Sequence, residues 1–220
     1  MALLSSEERA VVERAGGEPM LEQVLDWSAV NSGSRNLAGL ERMGELLADA
    51  FSTLPGELSL EPAAKVETID PNGRTAELEH GRHLHLKVRP DAPVQLLLTG
   101  HMDTVYGVDH EFQETRWIEE GVLNGPGVAD MKGGLAVMLA ALKAIEHTPA
   151  AKRVGYEVVI DSDEEVGSPS SAALLIQAAT SKHAALTYEP AALPDGTLAG
   201  SRPGSGNFSF VVRGKSAHDE

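Results

Sequence analysis

One histidine and five carboxylates of this sequence lie where predicted strands end or where a predicted helix begins. They form four clusters: His101 with Asp103, Asp130, Glu164 with Glu165, and Glu189. A single carboxylate at a strand end is usually a helix cap or a solvated loop residue. The carboxyl ends of neighbouring parallel strands converge on one crevice, however, and several acids placed there would repel one another unless cations compensate them. The joint placement therefore indicates a metal site.

The ligand types favour zinc in a catalytic site. The chain has no cysteine, so only His, Asp and Glu can bind the metal, and this donor set suits catalytic rather than structural zinc. Two metals about 3.5 to 4 Å apart would need a bridging carboxylate. Asp130 is the candidate, because the surrounding GPGVADMKGG offers glycines for close approach and a helix start that favours negative charge. The alternative, a glycine-rich phosphate cradle, is disfavoured because the segment lacks GxxxxGK[ST] spacing.

The DSDEEVGS segment adds the groups that hydrolysis needs. Adjacent side chains of an extended segment point in opposite directions, so one of Glu164 and Glu165 can bind metal while the other faces a water molecule. Zinc lowers the pKa of water to about 7, and a free glutamate can pass the proton to a leaving nitrogen. Asp103, two residues after His101, can accept the second ring N–H of that histidine and fix its tautomer.

The elements that must position these residues alternate between strand and helix from residue 94 onward. The predicted order is strand Val94–Leu98, helix Met131–Ile145, strand Tyr156–Ile160, helix Ser170–Ala179 and strand Ala184–Tyr188. Before them, the patterns predict helices at Met20–Ala29 and Leu37–Phe51 and strands at Lys65–Ile69 and His83–Val88. We predict an α/β fold, a mostly parallel sheet with helices on both faces, in which ligands sit at the carboxyl ends of strands.

A change of composition after Pro190 predicts a boundary near residue 195. Residues 1–195 would form the catalytic domain, and residues 196–220 are too few to be a domain by themselves. His83 and His85 share one strand face and could chelate a metal, but we interpret them as solvated histidines.

The composition excludes several classes of partner. The 33 acidic against 18 basic residues disfavour nucleic acid and anionic membranes, whose contacts need clustered Lys and Arg. The absence of cysteine fits a reducing compartment. No secretory signal and no run of about 18 apolar residues are evident. We therefore predict a soluble, cytoplasmic protein whose partner is a small molecule or short peptide.

Four motifs carry a family resemblance. HMDTV, GPGVADMKGG, DEEVGS and YEP, in this order, resemble the dizinc metallopeptidase family that includes glutamate carboxypeptidase, acetylornithine deacetylase and succinyl-diaminopimelate desuccinylase. The resemblance spans about residues 20–218 and is strongest with the glutamate carboxypeptidase branch, because YEP has a glutamate where the deacetylase branch more often has an aspartate. It implies two zinc ions, or other divalent ions such as cobalt, per active site.

The resemblance also implies residue roles. His101 and Glu189 would bind one zinc, Glu165 would bind the other, and Asp130 would bridge the two. Glu164 would act as the general base, and Asp103 would orient His101. It further implies a cis peptide bond after Asp130. A lid-like domain that pairs two subunits would follow YEP, and GKSAHDE resembles its segment in which a histidine, here His218, helps bind the substrate carbonyl. A homodimer through the lid is the implied assembly.

The sequence departs from the family pattern at its end. The pattern includes a further histidine ligand near the C-terminus of a chain almost twice this long, and no matching residue exists here. We therefore expect a fragment or a truncated gene product. The predicted function is a dizinc carboxypeptidase or amidohydrolase that removes a C-terminal amino acid, by family likeness glutamate, from an N-acyl or peptidyl group. The alternatives are an N-acyl amino acid deacetylase or desuccinylase, and a non-catalytic chain that binds at most part of the metal site.

Overall fold

The apolar run that precedes His101 forms the middle of a five-stranded sheet in the computed structural model. The structure describes residues 4–70 and 72–197, together with residues 204, 206, 208, 210–212 and 214. His218 lies outside the described residues, as does most of the region 196–220, which the family resemblance assigns to the first segment of a lid domain. The predicted boundary near residue 195 stays a prediction.

The chain divides into two units by its internal contacts. One unit comprises Met1–Ala64 with His80–Pro190, and the other comprises Lys65–Glu79 with Ala191–Glu220. The helices of the first unit are α1 Ser6–Gly16, α2 Met20–Ser28, α3 Leu37–Phe51, α4 Gly133–Glu146 and α5 Ala172–Ala179. Its strands are β1 Glu57–Glu61, β4 His83–Val88, β5 Val94–His101, β6 Arg116–Glu119, β7 Val122–Asn124, β8 Val154–Asp161 and β9 Ala184–Thr187. In the second unit, β2 Val66–Ile69 and β3 Thr75–Leu78 form an antiparallel hairpin.

The central sheet has the strand order β1-β4-β8-β5-β9. Strand β8 is parallel to β5, and β5 is parallel to β9. Strand β4 is antiparallel to both β1 and β8, so β1 runs in the same direction as β8. Four strands therefore share one direction and only β4 opposes them. The predicted α/β class with a mostly parallel sheet is confirmed.

Helices cover both faces of this sheet because β5 and β8 are apolar on both sides. Leu98 and Val158 belong to the large core that α2, α3 and α4 complete. Their chain neighbours Leu97 and Val159 face the other way, where they form a smaller cluster with Ala178 of α5. Strands of a parallel sheet are usually buried on both faces, so their sequences are continuous apolar runs. The burial of β5 and β8 follows this rule.

The core offers a stability prediction on a single helix. Leu135 of α4 is fully buried in the large core, whereas Val137, two residues later, is 50% exposed. We expect Leu135→Ala to lower the free energy of unfolding by about 2–5 kcal/mol, because it removes buried apolar atoms and leaves a cavity. Val137→Ala should change it by less than about 0.5 kcal/mol. Urea denaturation of both variants measures the difference, and equal effects would show that Leu135 is not in the core.

Several elements differ from the sequence prediction. Helix α1, strand β1 and the hairpins formed by β2 with β3 and by β6 with β7 were either not predicted or only partly predicted. The strand predicted at Lys65–Ile69 exists as β2, and within the described residues it forms a two-stranded sheet with β3. None of the helices that the structure describes is long and apolar enough to cross a bilayer.

The interpretation of His83 and His85 as solvated residues is wrong. They are 1% and 4% exposed, because β4 is an interior strand between β1 and β8. The His83 ring lies 3.2 Å from the hydroxyl of Ser170, and the His85 ring lies 2.6 Å from the carboxylate of Glu157. Both imidazoles therefore have polar partners of their own.

Candidate metal centre

His101 ends β5 and is the imidazole around which the carboxylates gather. The residue is 1% exposed. Its Nε2 lies 3.0 Å from Asp130 Oδ1, 3.7 Å from Glu189 Oε1 and 4.0 Å from Glu164 Oε2. Strands β5, β8 and β9 are parallel, so the segments after them open at one edge of the sheet. The structure thus brings together residues that are up to 88 positions apart, as the sequence predicts for converging strand ends.

Asp130 sits in an irregular turn, Val128–Lys132, that leads into α4. Gly127 precedes this turn with a φ of 72°, a conformation that favours glycine. The Asp130–Met131 peptide bond is cis, as the family resemblance implies. The Met131 side chain is fully buried, and its sulfur accepts a hydrogen bond from the His101 main-chain N–H at 3.2 Å. The buried Met131 therefore joins the Asp130 turn to the end of β5.

Glu164 and Glu165 lie in a short helical turn, Glu164–Val166, rather than in the extended segment assumed from the sequence. The turn closes because Gly167, at a φ of 92°, donates its N–H to the Glu164 carbonyl at 2.8 Å. Asp163 precedes it and accepts hydrogen bonds from the Ser170 and Ser171 hydroxyls at 2.8 and 2.6 Å. These contacts fix the backbone from which both glutamates reach the site.

His101, Asp130 and Glu165 form a group that fits a divalent metal. One ligand atom from each lies within 4.8 Å of the others. The pKa of Glu165 is raised to about 7 by burial together with the neighbouring charges of Asp130, Asp103 and Glu164, whereas His101 opposes the shift. A bound cation offsets this cost of holding several carboxylates ionised together. Imidazole nitrogen with carboxylate oxygen is a donor set that zinc accepts.

Glu164 and Glu189 flank this group. The Glu164 side chain is 49% exposed and that of Glu189 is 25% exposed. Burial raises the pKa of Glu164, and the charges of Glu189, Asp103 and Asp130 act in the same direction. Glu164 is therefore a carboxylate that holds a proton more readily than a free glutamate does, and water can reach it.

Asp103 contacts the opposite side of the His101 ring. Nδ1 of His101 lies 3.0 Å from the Asp103 main-chain oxygen and 3.3 Å from its Oδ1. Burial lowers the pKa of His101, but its contacts with Asp103, Asp130 and Glu189 raise it overall. An imidazole that binds metal must be deprotonated at the ligating nitrogen, so a metal held by Nε2 would take the place of the proton that these carboxylates favour. The orienting contact involves the backbone as well as the predicted carboxylate.

Sequence reasoning missed two residues that support the site. Ser34 donates a hydrogen bond to Asp103 Oδ2 at 2.6 Å. Lys132 is 1% exposed, and its ammonium donates to the carbonyls of Trp27 and Val30 at 3.1 and 3.0 Å. The only sequence signal for Lys132 was its position within the GPGVADMKGG motif, and Ser34 gave none.

Gly134 allows α4 to pack against the segment that carries Glu189. A Cβ atom at this position would lie 2.0 Å from the carbonyl oxygen of Tyr188.

We expect Gly134→Ala to lower the free energy of unfolding by about 1–3 kcal/mol through overpacking. It should also weaken Zn²⁺ binding, because the displaced Tyr188 directly precedes Glu189. Thermal unfolding and Zn²⁺ titration measure the two effects. Gly107→Ala is the control, since no atom lies within 4 Å of its Cβ; equal results for both variants would contradict the prediction.

Comparison with known proteins finds a matching family and several similar proteins. Residues 97–210 match the model of peptidase family M20/M25/M40. Carboxypeptidase G2 from Pseudomonas sp. (strain RS-16) is 31% identical over 145 residues, which cover 66% of this chain and 35% of that protein. Succinyl-diaminopimelate desuccinylase from Wolinella succinogenes is 30% identical over 132 residues, which cover 55% of this chain and 34% of that protein. The matched region thus spans about a third of the length of these relatives.

Solved structures show the same fold. An M20 family metallo-carboxypeptidase from Sulfolobus solfataricus superposes with a TM-score of 0.62 at 18% identity, covering 81% of this chain and 39% of that chain. A tripeptidase from Staphylococcus aureus gives a TM-score of 0.53 at 21% identity, covering 79% of this chain and 43% of that chain. The family match extends over half of the sequence, and it includes the segments that carry His101, Asp130, Glu165 and Glu189. The chain therefore belongs to peptidase family M20/M25/M40, a family of metallopeptidases.

Proposed function

We propose that this chain provides the active-site residues of a metal-dependent hydrolase that cleaves a C-terminal amino acid from an N-acyl or peptidyl group. The observation that carries the proposal is the group of His101, Asp130 and Glu165, whose ligand atoms lie within 4.8 Å of one another. Glu164, outside this group, lies beside the same imidazole at 4.0 Å. A metal group with an additional free carboxylate is the minimum that metal-assisted amide hydrolysis needs.

The proposed ligands divide between two zinc ions, for which cobalt can substitute. His101 and Glu189 would hold one ion, Glu165 would hold the other, and Asp130 would bridge them. Asp130 suits this role because its Oδ1 lies 3.0 Å from His101 Nε2 while it also belongs to the group with Glu165. When bound, the ions lower the pKa of water and polarise the carbonyl that is attacked.

The residues of the chain supply the remaining steps. Glu164 takes the proton of the attacking water and delivers it to the leaving nitrogen, and its raised pKa suits a group that must gain and lose a proton. Asp103 holds the His101 ring through Nδ1, which leaves Nε2 directed at the carboxylates. The half-exposed Glu164 side chain lies open to a substrate from solvent.

The choice of substrate rests on likeness. Carboxypeptidase G2 supports release of a C-terminal amino acid. The resemblance of YEP to the glutamate carboxypeptidase branch supports glutamate as that amino acid, and the desuccinylase relative supports an N-succinyl amino acid as the second candidate. We propose that His218, outside the described residues, binds the substrate carbonyl, and that the protein forms a homodimer through a lid. The matched region covers 35% of carboxypeptidase G2, so the activity of the whole protein is part of the proposal.

The test is a comparison of amide substrates on Zn²⁺-loaded protein. N-acyl-glutamate, N-acetyl amino acids and N-succinyl amino acids are incubated with the protein before and after removal of metal with a chelator. Release of glutamate that stops on chelation and returns with Zn²⁺ supports the proposal. Preference for the succinyl amides supports the desuccinylase, and tight binding of one ion without hydrolysis of any substrate supports the non-catalytic alternative.

A further inference from the structure

The loop between α2 and α3 is attached to the segment that follows His101. The Ser34 N–H donates to the Thr104 carbonyl at 3.1 Å, and the Thr104 N–H donates to the Ser32 carbonyl at 3.0 Å. Gly33 forms an isolated bridge with Thr104, and a Cβ at Gly33 would lie 2.5 Å from the carbonyl oxygen of Tyr106. The backbone of this loop is therefore held at a fixed position against the HMDT segment.

This attachment places one side chain on the Asp103 carboxylate. Asp103 is fully buried as a side chain, and a buried carboxylate needs hydrogen-bond donors for both oxygens. Oδ1 contacts Nδ1 of His101 at 3.3 Å and accepts from the Glu164 N–H at 3.2 Å. Oδ2 accepts from the Ser34 hydroxyl at 2.6 Å. Within the described residues, Ser34 is the donor that satisfies Oδ2.

Asp103 consequently links two functional groups through one oxygen. On one side it orients the imidazole of His101, and on the other it holds the main chain at Glu164. A rotation of the carboxylate would disturb both contacts together. The hydrogen bond from the Ser34 hydroxyl to Oδ2 opposes this rotation.

We propose that Ser34 is a positioning residue for the metal site and acts through Asp103. The inference rests on the proposed function, because it assigns Ser34 to the metal centre described there. Removing a residue that hydrogen-bonds directly to a metal-binding histidine typically weakens metal binding by about 10- to 100-fold. Ser34 does not contact His101 itself but contacts Asp103. Its hydroxyl is nevertheless the donor to Asp103 Oδ2, an oxygen that is buried away from water.

The chain contains a matched control two residues away. Ser32 is 0% exposed, and its hydroxyl has no hydrogen-bond partner within the described part of the chain. Ser32→Ala and Ser34→Ala therefore remove the same atom from the same buried loop. They differ in the contacts of that atom, because the Ser34 hydroxyl lies 2.6 Å from Asp103 Oδ2 and, more distantly, 3.4 Å from the Thr104 carbonyl oxygen.

The experiment is a Zn²⁺ titration of the 220-residue chain against a competing chromogenic chelator, with thermal unfolding of the metal-free protein as a check on folding. We expect Ser34→Ala to weaken Zn²⁺ binding by about 10-fold and Ser32→Ala to leave it close to wild type. Ser34→Thr keeps the hydroxyl and should restore most of the affinity. If the alanine variant does not fold, Ser34→Val replaces it, since valine has the shape of the threonine variant without its hydroxyl and should weaken Zn²⁺ binding as alanine does.

A double-mutant cycle with Asp103→Asn shows whether Ser34 acts through Asp103. If it does, Ser34→Ala adds little to the loss already caused by Asp103→Asn; a purely structural role would give additive losses. The proposal is overturned if Ser34→Ala binds Zn²⁺ like the wild type, or if Ser32→Ala weakens binding equally. Failure of the proposed function looks different, because the wild-type chain itself would then bind no Zn²⁺ or hydrolyse no amide.

Discussion

Replacing Glu164 with glutamine is expected to lower turnover of the preferred amide substrate by about 10²- to 10⁴-fold, the usual contribution of a positioned general base. Glutamine keeps the size of the side chain but cannot accept the proton of water. Because Glu164 lies outside the group of His101, Asp130 and Glu165, the Zn²⁺ content should remain nearly that of the wild type. Steady-state kinetics with metal analysis of the same sample measures both quantities.

Glu165→Gln is the comparison for this experiment, since the two glutamates are neighbours on one helical turn. Here we expect metal and activity to be lost together, because Glu165 is a member of the metal-binding group. If Glu164→Gln also loses its metal, Glu164 is a ligand and the assigned roles are wrong. Full activity in Glu164→Gln would remove it from the mechanism altogether.

Asp130→Asn is expected to weaken Zn²⁺ binding by at least about 100-fold, or about 2.7 kcal/mol. The amide keeps the shape of the side chain but loses its charge, and a neutral group bridges two cations poorly. Asp130 also contacts His101 directly at 3.0 Å, so the substitution removes the anion that faces the imidazole. Isothermal titration calorimetry of the metal-free protein gives the affinity.

Asp109→Asn is the matched control, since this aspartate is exposed in a loop of the same unit. Its Zn²⁺ affinity should equal that of the wild type. Retention of wild-type affinity and stoichiometry in Asp130→Asn would exclude a bridging role. A loss of one of two bound ions would instead show that Asp130 serves a single metal.

The sequence predicted the part of the site that depends on strand ends. His101, Asp130, Glu164, Glu165 and Glu189 each follow or precede an element with a clear apolar pattern, and the structure brings them together. Their separate roles remain predictions. The elements with strong periodicity, such as α3 and α4, were located from the sequence because burial of one face or of a whole helix leaves a regular pattern.

The features that the sequence did not predict depend on contacts between distant segments, which leave no pattern in the local sequence. Strand β1, ELSLE, is short and half polar, and it becomes a strand because β4 pairs with it. Ser34 reaches Asp103 across 69 positions of sequence, which spacing cannot reveal. The HxH pattern of His83 and His85 is typical of a solvated strand face, yet Ser162 and Ser170 contact His83 from other segments. Tertiary pairing decided each of these cases.

The strand order has a consequence for synthesis of the protein. Strand β5 lies between β8 and β9, and both of these follow it in the chain. The last partner begins at Ala184, so at the usual rate of about 5–20 residues per second the ribosome needs several seconds to supply it after His101 has been made. During that time an apolar strand has unpaired edges, the condition that promotes association between nascent chains. We therefore expect the strand that carries His101 to be a segment at which a chaperone binds the nascent chain.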